Sequence, residues 1–355
     1  MTTDTSTGNT GTAKQNGVPR PLDGVRVVEL CQWVAGPAAG GIMADWGADV
    51  VKVEAPSGDP QRAIFAAVGI GEGTPNPTFA QDNRGKRSIV LDLADADGRG
   101  RLEQLLTGAD VFLTNLRPDA LERLDLAPEE VLGRHPEIVV AALSGYGSTG
   151  PARDVPGYDI GAFFARSGFA RTNSPTDEPP LFVRSGVGDH ITGMATVMGA
   201  VAALFERTRT GRGRVVETSL FGTGMYSVSW DLSIQLTLGR LSSLRPRERA
   251  ATPLVNSYRA GDGRWFYLIG LEAGRHFPHL LAAIERPDLL HDERFATAGA
   301  ISRNAAELVA LLDEEFATRP LDDWAARFDH HDVWWAPGQT MAEVADDPQA
   351  HALGA

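Results

Sequence analysis

The strongest constraint on the fold is an alternation of short apolar runs with segments of helical periodicity after the first twenty residues. Residues 25–30 (VRVVEL) and 49–54 (DVVKVE) have the length and β-branched content of strands, and a Gly-rich turn with a helical segment at 38–46 separates them. Further runs of this kind lie at 88–93, 110–114, 137–143 and 215–219. The alternation predicts an α/β fold whose mostly parallel sheet is covered by helices.

The pattern also divides the chain into a tail and two domains. Residues 1–20 contain almost nothing apolar, so they cannot offset the entropy of ordering and are predicted to form a disordered tail. Residues 21–225 form the predicted large domain, and residues 226–245 a linker helix that ends in a charged spacer. Residues 246–329 are predicted to form a smaller α/β domain.

The charge balance restricts the partners. The 355 residues include 33 Lys or Arg and 46 Asp or Glu, so the formal net charge is −13. Because a nucleic-acid-binding face needs basic side chains to displace counterions, this excess argues against nucleic acid as the main partner. No window approaches the roughly 20 apolar residues of a membrane helix, and the chain start lacks the basic and apolar regions of a signal peptide. We therefore expect a cytoplasmic protein with no membrane partner.

We also expect no metal. Cys31 is the single cysteine, so one chain can form neither a disulfide nor a thiolate metal cage. A small buried side chain at a strand end is the simplest interpretation of this cysteine. His330 and His331 are flanked by aspartates, but adjacent side chains do not point the same way.

Three segments have the composition of anion sites. The stretch 35–41 (AGPAAGG) follows a strand and opens a helix, where free N–H groups could hold a phosphate, although it lacks the GxGxxG spacing and small residues there also serve close packing. Basic and amide residues gather at 83–87 (NRGKR), at 115–118 (NLRP) and at Arg123. They could hold an anion or be solvated on loops. The segment 115–118 directly follows a strand, where open α/β sheets bind ligands.

Three isolated carboxylates lie among glycines and are the sharpest chemical candidates. Asp189 (SGVGDH) precedes a long apolar helix predicted over 192–207, Asp159 follows a Pro-Gly turn (PGYD), and Glu272 ends a strand (GLEAG). Each has a structural alternative: an N-terminal cap for Asp189, a turn residue for Asp159 and a loop residue for Glu272. The sequence contains no GxSxG elbow, HExxH helix or P-loop.

Taken in chain order, these segments resemble CoA-transferase family III, the family of formyl-CoA transferase and carnitine CoA-transferase that also includes the α-methylacyl-CoA racemases. The resemblance extends over about residues 20–345 and is densest before 220. The matching segments include PLDGVRVVEL (21–30), AGP (35–37), GADVVKVE (47–54), NLRP (115–118), GYD (157–159), GD (188–189) and TGRG (210–213). The resemblance implies a Rossmann-like, CoA-binding large domain, to which residues 330–355 return, and an interlocked homodimer.

The resemblance also implies the chemistry. Asp189 matches the catalytic aspartate, which attacks an acyl-CoA to give a mixed anhydride and then an aspartyl-CoA thioester that a carboxylic acid acceptor enters. Asp159 and Glu272 are expected as nearby polar supports. Coenzyme A, carried as the acyl-CoA substrate, is expected to contact Arg62, Leu93, Asn115, Leu116 and Arg123. The glycines beside Asp189 suit this chemistry, because a carboxylate is a weak nucleophile that must be approached closely and desolvated.

Several departures from the family pattern leave alternatives open. Tyr158 stands where the racemases have a histidine, and a hydroxyl with a reference pKa near 10 is poorly suited to proton transfer. Glu272 nevertheless matches the racemase glutamate. A Gly-rich loop of several transferases is missing, Val34 replaces a polar residue, and family members usually extend beyond the position of Ala355. CoA transfer is the favoured prediction, with racemisation or epimerisation of a 2-methylacyl-CoA, or CoA binding without catalysis, as alternatives.

Overall fold

Contacts within the chain divide it into two units. The computed structural model describes residues 19–67, 69 and 76–354, so the predicted tail lies, up to residue 18, outside the described residues. The first unit runs to Ser174 and includes Pro179–Ser242, and the second consists of Pro175–Glu178 and Ser243 onward. The boundary near residue 243 agrees with the composition change that the sequence shows.

The sheet of the first unit is entirely parallel. Its strands are β1 (Arg26–Leu30), β2 (Asp49–Glu54), β3 (Arg87–Val90), β4 (Val111–Thr114), β5 (Val139–Ser144) and β6 (Val215–Ser219). They lie in the order β3-β2-β1-β4-β5-β6, which confirms the predicted Rossmann-like α/β class. The chain moves outward from β1 to β3 and then returns to β4 on the other side of β1. A crevice is therefore expected at the carboxyl ends of β1 and β4, where the strand order reverses.

Helices cover this sheet. They are α1 (Ala35–Asp45), α2 (Ile64–Ala67), α3 (Pro77–Asp82), α4 (Ala96–Leu106), α5 (Pro118–Arg123), α6 (Pro128–Arg134), α7 (Phe169–Thr172), α8 (Val187–Thr210), α9 (Leu220–Ser227) and α10 (Ser229–Leu238). A 3₁₀ segment at Pro60–Ala63 precedes α2, and a π-helical segment spans Ile160–Arg166. The predicted linker helix at 226–245 is thus replaced by the end of α9 and by α10, and both belong to the first unit.

The long helix α8 packs closely against α1. A Cβ atom at Gly193 would lie 2.9 Å from the carbonyl oxygen of Ala35, so only glycine permits this approach. Val197, Ala200 and Leu204 follow on the same face and are buried in the core of the first unit. The apolar side of α8 is therefore explained by packing onto α1 and the sheet.

Helix α8 is also long and apolar enough to cross a membrane, judged by length and composition alone. Its most apolar window is 44% buried inside the protein. The core helix of a soluble protein meets the same criteria, so this finding is weak evidence for a membrane span.

The second unit contains a small antiparallel sheet. Its strands are β7 (Val255–Arg259), β8 (Trp265–Ile269) and β9 (Trp335–Pro337), in that order. Its helices are α11 (Ala273–Ala283), α12 (Ala298–Arg303), α13 (Ala305–Phe316), α14 (Leu321–His330), α15 (Met341–Ala345) and α16 (Pro348–Leu353), with 3₁₀ segments at Arg247–Arg249 and Pro287–His291. The smaller α/β domain is thereby confirmed.

The C-terminal segment differs from expectation. We expected residues 330–355 to return to the large domain, but they belong to the second unit. The reason is that β9 completes the sheet beside β8, and the Gly338 N–H donates to the Trp265 carbonyl oxygen at 2.8 Å. Arg264 also holds Glu343 of α15 at 3.0 Å. The small domain thus extends well past residue 329.

Candidate functional site

Two adjoining clefts open at the carboxyl ends of β1 and β4. The first, called the leucine cleft here, has a volume of about 240 Å³ and is lined by Leu30, Leu91, Leu93, Leu116 and Leu124 among others. The second, called the Asp189 cleft, has a volume of about 440 Å³ and is lined by Trp33, Ala35, Asn115, Arg117, Tyr158 and Asp189 among others. Gln32 and Leu116 line both clefts, so the two are adjacent.

Glycines place Asp189 in the first turn of α8. The helix begins at Val187, because Gly186 adopts φ +100°, a conformation that favours glycine, and acts as the N-cap. A Cβ atom at Gly188 would lie 2.6 Å from Cγ of Phe163 and 3.0 Å from Cβ of Asp159. Helix α8 thus starts five residues earlier than predicted. The N-cap interpretation of Asp189 is wrong, since Gly186 occupies that position and makes no side-chain cap.

No residue that the structure describes donates a hydrogen bond to the carboxylate of Asp189. Burial raises its pKa from 3.8 to about 7, and the negative charges of Asp159 and Asp82 act in the same direction. The neighbouring His190 opposes them. A desolvated carboxylate of raised basicity that faces a cleft is suited to nucleophilic or proton-transfer chemistry.

Asp159 clamps the turn that carries Asp189. Its carboxylate is buried at the start of the π-helical segment, and Oδ2 accepts the backbone N–H of Gly186 at 2.7 Å. This bond fixes Gly186, the N-cap of α8. Asp159 is therefore more than a turn residue, because it positions the start of α8 and adds a negative charge near Asp189.

The loops after β1 and β4 are joined by Asn115. Its Oδ1 accepts the N–H of Gln32 at 2.9 Å, and its Nδ2 donates to the carbonyl oxygen of Gln32 at 2.6 Å. Gly36 permits this contact, because a Cβ atom there would lie 3.1 Å from Cγ of Asn115. Asn115 lines the Asp189 cleft and therefore holds Gln32, which lines both clefts, and Leu116 follows it in the chain.

The predicted arginine ligands are held by carboxylates. Arg62 donates two hydrogen bonds to Glu54, at 2.8 and 2.7 Å, and lies over the Phe79 ring. These bonds are the main reason that the pKa of Glu54 falls to about 2. Arg123 is exposed and pairs with Asp119 at 3.0 Å. Neither arginine is among the described residues that line the two clefts, whereas Leu93, Asn115 and Leu116 are.

Glu272 belongs to the second unit. It is exposed at the N-cap of α11, and its backbone N–H donates to Nδ1 of His276 at 3.1 Å. Its expected role as a polar support of Asp189 stays a prediction.

Four buried charges beneath the site were not anticipated. Lys52 Nζ lies 3.1 Å from Glu29 Oε1 and 2.9 Å from Asp59 Oδ2, and Lys86 Nζ lies 2.7 Å from Glu29 Oε2. Two cations thus balance two anions, and all four side chains are almost completely buried. A Cβ atom at Gly40 would lie 1.9 Å from Glu29 Oε2, so part of the Gly-rich stretch serves close packing. We call Glu29, Lys52, Asp59 and Lys86 the buried ion cluster.

The buried ion cluster holds the loop between β1 and α1. Lys52 Nζ donates to the Cys31 carbonyl oxygen at 3.0 Å, and Asp59 Oδ1 accepts the N–H of Trp33 at 3.1 Å. Trp33 adopts φ +65°, which is uncommon for a bulky residue. Its ring packs edge-on against that of Tyr158, with the two ring centroids 5.6 Å apart. Sequence reasoning missed Trp33, because an aromatic residue after a strand carries no specific signal.

Cys31 is buried at the end of β1, as predicted. Burial raises the pKa of its thiol well above the usual range, with the nearby Glu29 carboxylate acting in the same direction. This thiol is therefore protonated and poorly reactive at neutral pH. Within the described part of the chain, no group of three or more His, Cys, Asp or Glu is placed to hold a metal ion, and the expectation of a metal-free site stays a prediction.

Comparisons with known proteins agree with this architecture. The model of CoA-transferase family III matches residues 22–355. The chain is 31% identical to the (R)-2-hydroxy-4-methylpentanoate CoA-transferase of Clostridioides difficile, over 93% of this chain and 83% of that protein. It is 33% identical to the cinnamoyl-CoA:phenyllactate CoA-transferase of Clostridium sporogenes, over 93% and 81%.

A solved structure shows the same fold. The crystal structure of a CAIB/BAIF family protein from Brucella suis superposes with a TM-score of 0.83 at 30% identity, covering 95% of this chain and 89% of that one. Together with the family match over nearly the whole sequence, this likeness shows that the chain belongs to CoA-transferase family III.

Proposed function

We propose that this protein moves CoA from an acyl-CoA to a carboxylic acid, with Asp189 as the nucleophile. The observation that supports the proposal best is a carboxylate that lacks a hydrogen-bond donor among the described residues and lines the cleft beside Asn115 and the start of α1. Burial raises its pKa to about 7, so it is largely ionised just above neutral pH and is more basic than an ordinary aspartate.

The reaction then proceeds through covalent intermediates on Asp189. The carboxylate attacks the thioester carbonyl carbon, the C–S bond breaks, and a mixed anhydride and CoA thiolate form. The thiolate attacks the aspartyl carbonyl, which releases the donor acid and leaves an aspartyl-CoA thioester. The acceptor carboxylate attacks the aspartyl carbonyl carbon of this thioester, the C–S bond breaks, and a second anhydride and CoA thiolate form. The thiolate then attacks the acyl carbon of the acceptor, which gives the new acyl-CoA and free Asp189. No proton is gained or lost over the cycle.

The N-terminus of α1 is the proposed site of oxyanion stabilisation. Val34 and Ala35 line the Asp189 cleft, and the first N–H groups of an α-helix have no acceptor within the helix. Such donors, together with the positive end of the helix dipole, stabilise negative charge that develops on a carbonyl oxygen. Asn115 supports this arrangement by tying the loop before α1 to the end of β4.

The two adjacent clefts suggest how CoA is bound. The leucine cleft has apolar walls suited to the adenine ring, and Leu116 lies where the two clefts meet. The pantetheine arm would pass this residue and bring the thioester to Asp189. Arg62 and Arg123 stay proposed phosphate ligands, and each would have to share its guanidinium with the carboxylate that now holds it.

The alternatives are less well supported. Tyr158 lines the Asp189 cleft at the position where the racemases carry a histidine, and its side chain is a poor second acid or base at neutral pH. The named relatives that we compare are both transferases. A CoA-binding protein without catalysis would have no need of a carboxylate held desolvated in the cleft.

We also propose a homodimer. The exposed fractions of Tyr226, Trp230 and Leu236, on α9 and α10, are 79%, 87% and 77%. Large apolar side chains that are so exposed on neighbouring helices usually mark a contact surface. A second copy of this chain is the proposed occupant, and light scattering on the purified protein would give the mass of a dimer. A cytoplasmic location also stays a proposal.

Trapping of the covalent intermediate tests the mechanism. The protein is incubated with an acyl-CoA in the absence of acceptor, treated with hydroxylamine, and analysed by peptide mass spectrometry. We expect a hydroxamate at Asp189 in the wild type and in the matched surface variant Asp97→Asn, and none in Asp189→Asn. A label on another carboxylate, or transfer activity retained by Asp189→Ala, would rule out Asp189 as the nucleophile. Exchange of the α-hydrogen with solvent in the absence of an acceptor would favour the racemase alternative.

A further inference from the structure

His190 follows the proposed nucleophile and is bound to a buried carboxylate. Its Nε2 lies 2.9 Å from Oδ1 of Asp82, the last residue of α3, whose side chain is almost completely buried. The other oxygen of Asp82 accepts Nε2–H of Gln61 at 2.9 Å. Because the carboxylate of Asp82 accepts both bonds, the His190 ring donates from Nε2.

The same contacts continue to Trp33, which also lines the Asp189 cleft. The backbone N–H of Gln61 donates to Oδ1 of Asp59 at 3.0 Å, and this oxygen also accepts the N–H of Trp33 at 3.1 Å. A continuous series of hydrogen bonds therefore links His190, beside the nucleophile, to Trp33, on the loop before α1. Both Trp33 and Asp189 line the cleft.

The turn that begins α8 is held from two sides. The Gly186 N–H is bound by Asp159, and its carbonyl oxygen accepts the backbone N–H of His190 at 2.9 Å. The His190 side chain then ties this turn to Asp82 on α3. We propose that His190 is a positioning residue of the transfer reaction, which anchors the first turn of α8 through Asp82 and places a positive charge beside the Asp189 carboxylate.

This inference deepens the proposed function and rests on it. Its electrostatic part involves Asp189 and His190 on α8, Asp82 on α3 and Asp159 at the start of the π-helical segment. The hydrogen bond to Asp82 raises the pKa of His190 above its usual value, so the imidazolium persists to higher pH. The charge of His190 lowers the pKa of Asp189 and that of Asp82 raises it, so the two act in opposite directions.

Removal of the histidine charge alone should therefore raise the pKa of Asp189. In His190→Gln, the negative charge of Asp82 acts on Asp189 without its counterion, and the pKa of Asp189 rises. At a given pH near neutrality a smaller fraction of Asp189 is ionised, so kcat falls, and it recovers as the pH is raised. In the double variant Asp82→Asn/His190→Gln both charges are absent, and the pKa of Asp189 returns toward that of the wild type. A merely structural role for His190 would not give this recovery.

Protonation of Asp189 can be measured without substrate. A carbodiimide with an amine nucleophile modifies protonated carboxyl groups, and peptide mass spectrometry gives the labelled fraction at residue 189 as a function of pH. We expect the midpoint to rise by about one pH unit in His190→Gln, as for loss of an adjacent opposite charge. The double variant should lie within about 0.3 pH unit of the wild type. The exposed His291 provides the matched control, His291→Gln, whose midpoint should not move.

An unmoved midpoint in His190→Gln, or a midpoint in the double variant that stays as high as in the single variant, would overturn the inference. If His190→Gln does not fold, His190→Asn, which keeps a side-chain donor, replaces it in both comparisons. Failure of the proposed function is distinguishable, because the hydroxamate at Asp189 would then be absent while the midpoint shift persists. Conversely, a hydroxamate with an unmoved midpoint leaves the nucleophile intact and removes only the role of His190.

Discussion

The interiors of the two units are built from different chemistry. In the first unit the buried ion cluster lies under the carboxyl ends of the strands, and Asp82 and Asp159 are buried as well. The core of the second unit is apolar and includes a cluster of aromatic side chains, among them Tyr258, Phe266, Phe316, Trp324 and Phe328, with ring centroids 5.0 Å apart in the closest pairs. Of the buried polar side chains that the structure describes, only His276 lies in the second unit.

The difference between the two interiors indicates that the buried charges of the first unit fix backbone groups beside the clefts. Buried charges cost desolvation free energy and are not an efficient source of stability. Here they fix particular groups, since Lys52 holds the Cys31 carbonyl oxygen and Asp59 holds the Trp33 N–H. Edge-to-face aromatic pairs stabilise a core without selecting one loop conformation in this way. The buried polar groups of the first unit thus lie beside the clefts and fix the loop there. The aromatic cluster of the second unit stabilises the packing of helices on a small sheet.

Replacement of Lys52 by methionine should give the largest loss of stability. The variant leaves Asp59 without its buried cation and Glu29 with Lys86 alone, and we expect a loss of about 3–5 kcal/mol in the free energy of unfolding. Because Lys52 contacts β1 and its loop, protection from hydrogen exchange should fall in β1 and β2. Urea denaturation and hydrogen–deuterium exchange mass spectrometry measure the two effects.

The matched control lies in the aromatic core. Phe266→Leu exchanges one large buried apolar side chain for another, and it should cost only about 1 kcal/mol, since cores tolerate such exchanges. In Phe266→Leu, the loss of protection from hydrogen exchange should be confined to β8 and the strands beside it. Equal costs for Lys52→Met and Phe266→Leu would remove the contrast between the two interiors.

Replacement of Asp189 by asparagine should instead stabilise the protein while it abolishes transfer. The folded pKa of Asp189, about 7, lies above that of an unfolded aspartate, so the folded state binds protons more tightly and loses stability as the pH rises from about 4 to about 7. Asparagine carries no charge to desolvate. We expect Asp189→Asn to be more stable than the wild type by about 2 kcal/mol at pH 8, with allowance for partial exposure, and equally stable near pH 4.

Urea denaturation of Asp189→Asn and the wild type at pH 8 and near pH 4 tests whether the variant is the more stable of the two. Asp97→Asn, on the exposed face of α4, serves as the control and should show no such pH-dependent gain. A variant Asp189→Asn that is less stable than the wild type at pH 8 would show that the carboxylate is satisfied in the fold, contrary to its proposed availability for attack.

Much of the first unit follows from the sequence, because its central strands β1, β4 and β5 are mostly buried and appear as continuous apolar runs. The predicted bounds of 49–54 and 215–219 coincide with β2 and β6. The start of α8 does not follow, since the sequence does not reveal that Gly186 adopts φ +100° and serves as the N-cap. Strand β9 has three residues and too little pattern to predict, which is why residues 330–355 were placed in the wrong domain.

The candidate site was predictable only in part. Asp189 and Asn115 have local signals, namely flanking glycines and a position just after a strand. The role of Lys86 has none, since in the sequence NRGKR it resembles a loop cation, and only the fold reveals that it is buried against Glu29. His190 was likewise hidden, because its partner Asp82 is 108 residues away in the chain.

The pair of Arg62 and Glu54, of which only the carboxylate is buried, should show the smallest effect. Glu54 is buried, whereas 48% of the Arg62 side chain is exposed, so solvent screens their interaction. Arg62→Lys retains the charge but loses the paired geometry of the guanidinium, and we expect a loss of only about 0.5 kcal/mol at pH 7. The lowered pKa of Glu54 contributes stability above pH 4.5 that is lost as the pH falls toward 2, so wild type and variant should converge in that interval. Urea denaturation between pH 7 and pH 2 measures this. A loss as large as that of Lys52→Met would mean that the buried ion cluster extends to the protein surface through Glu54.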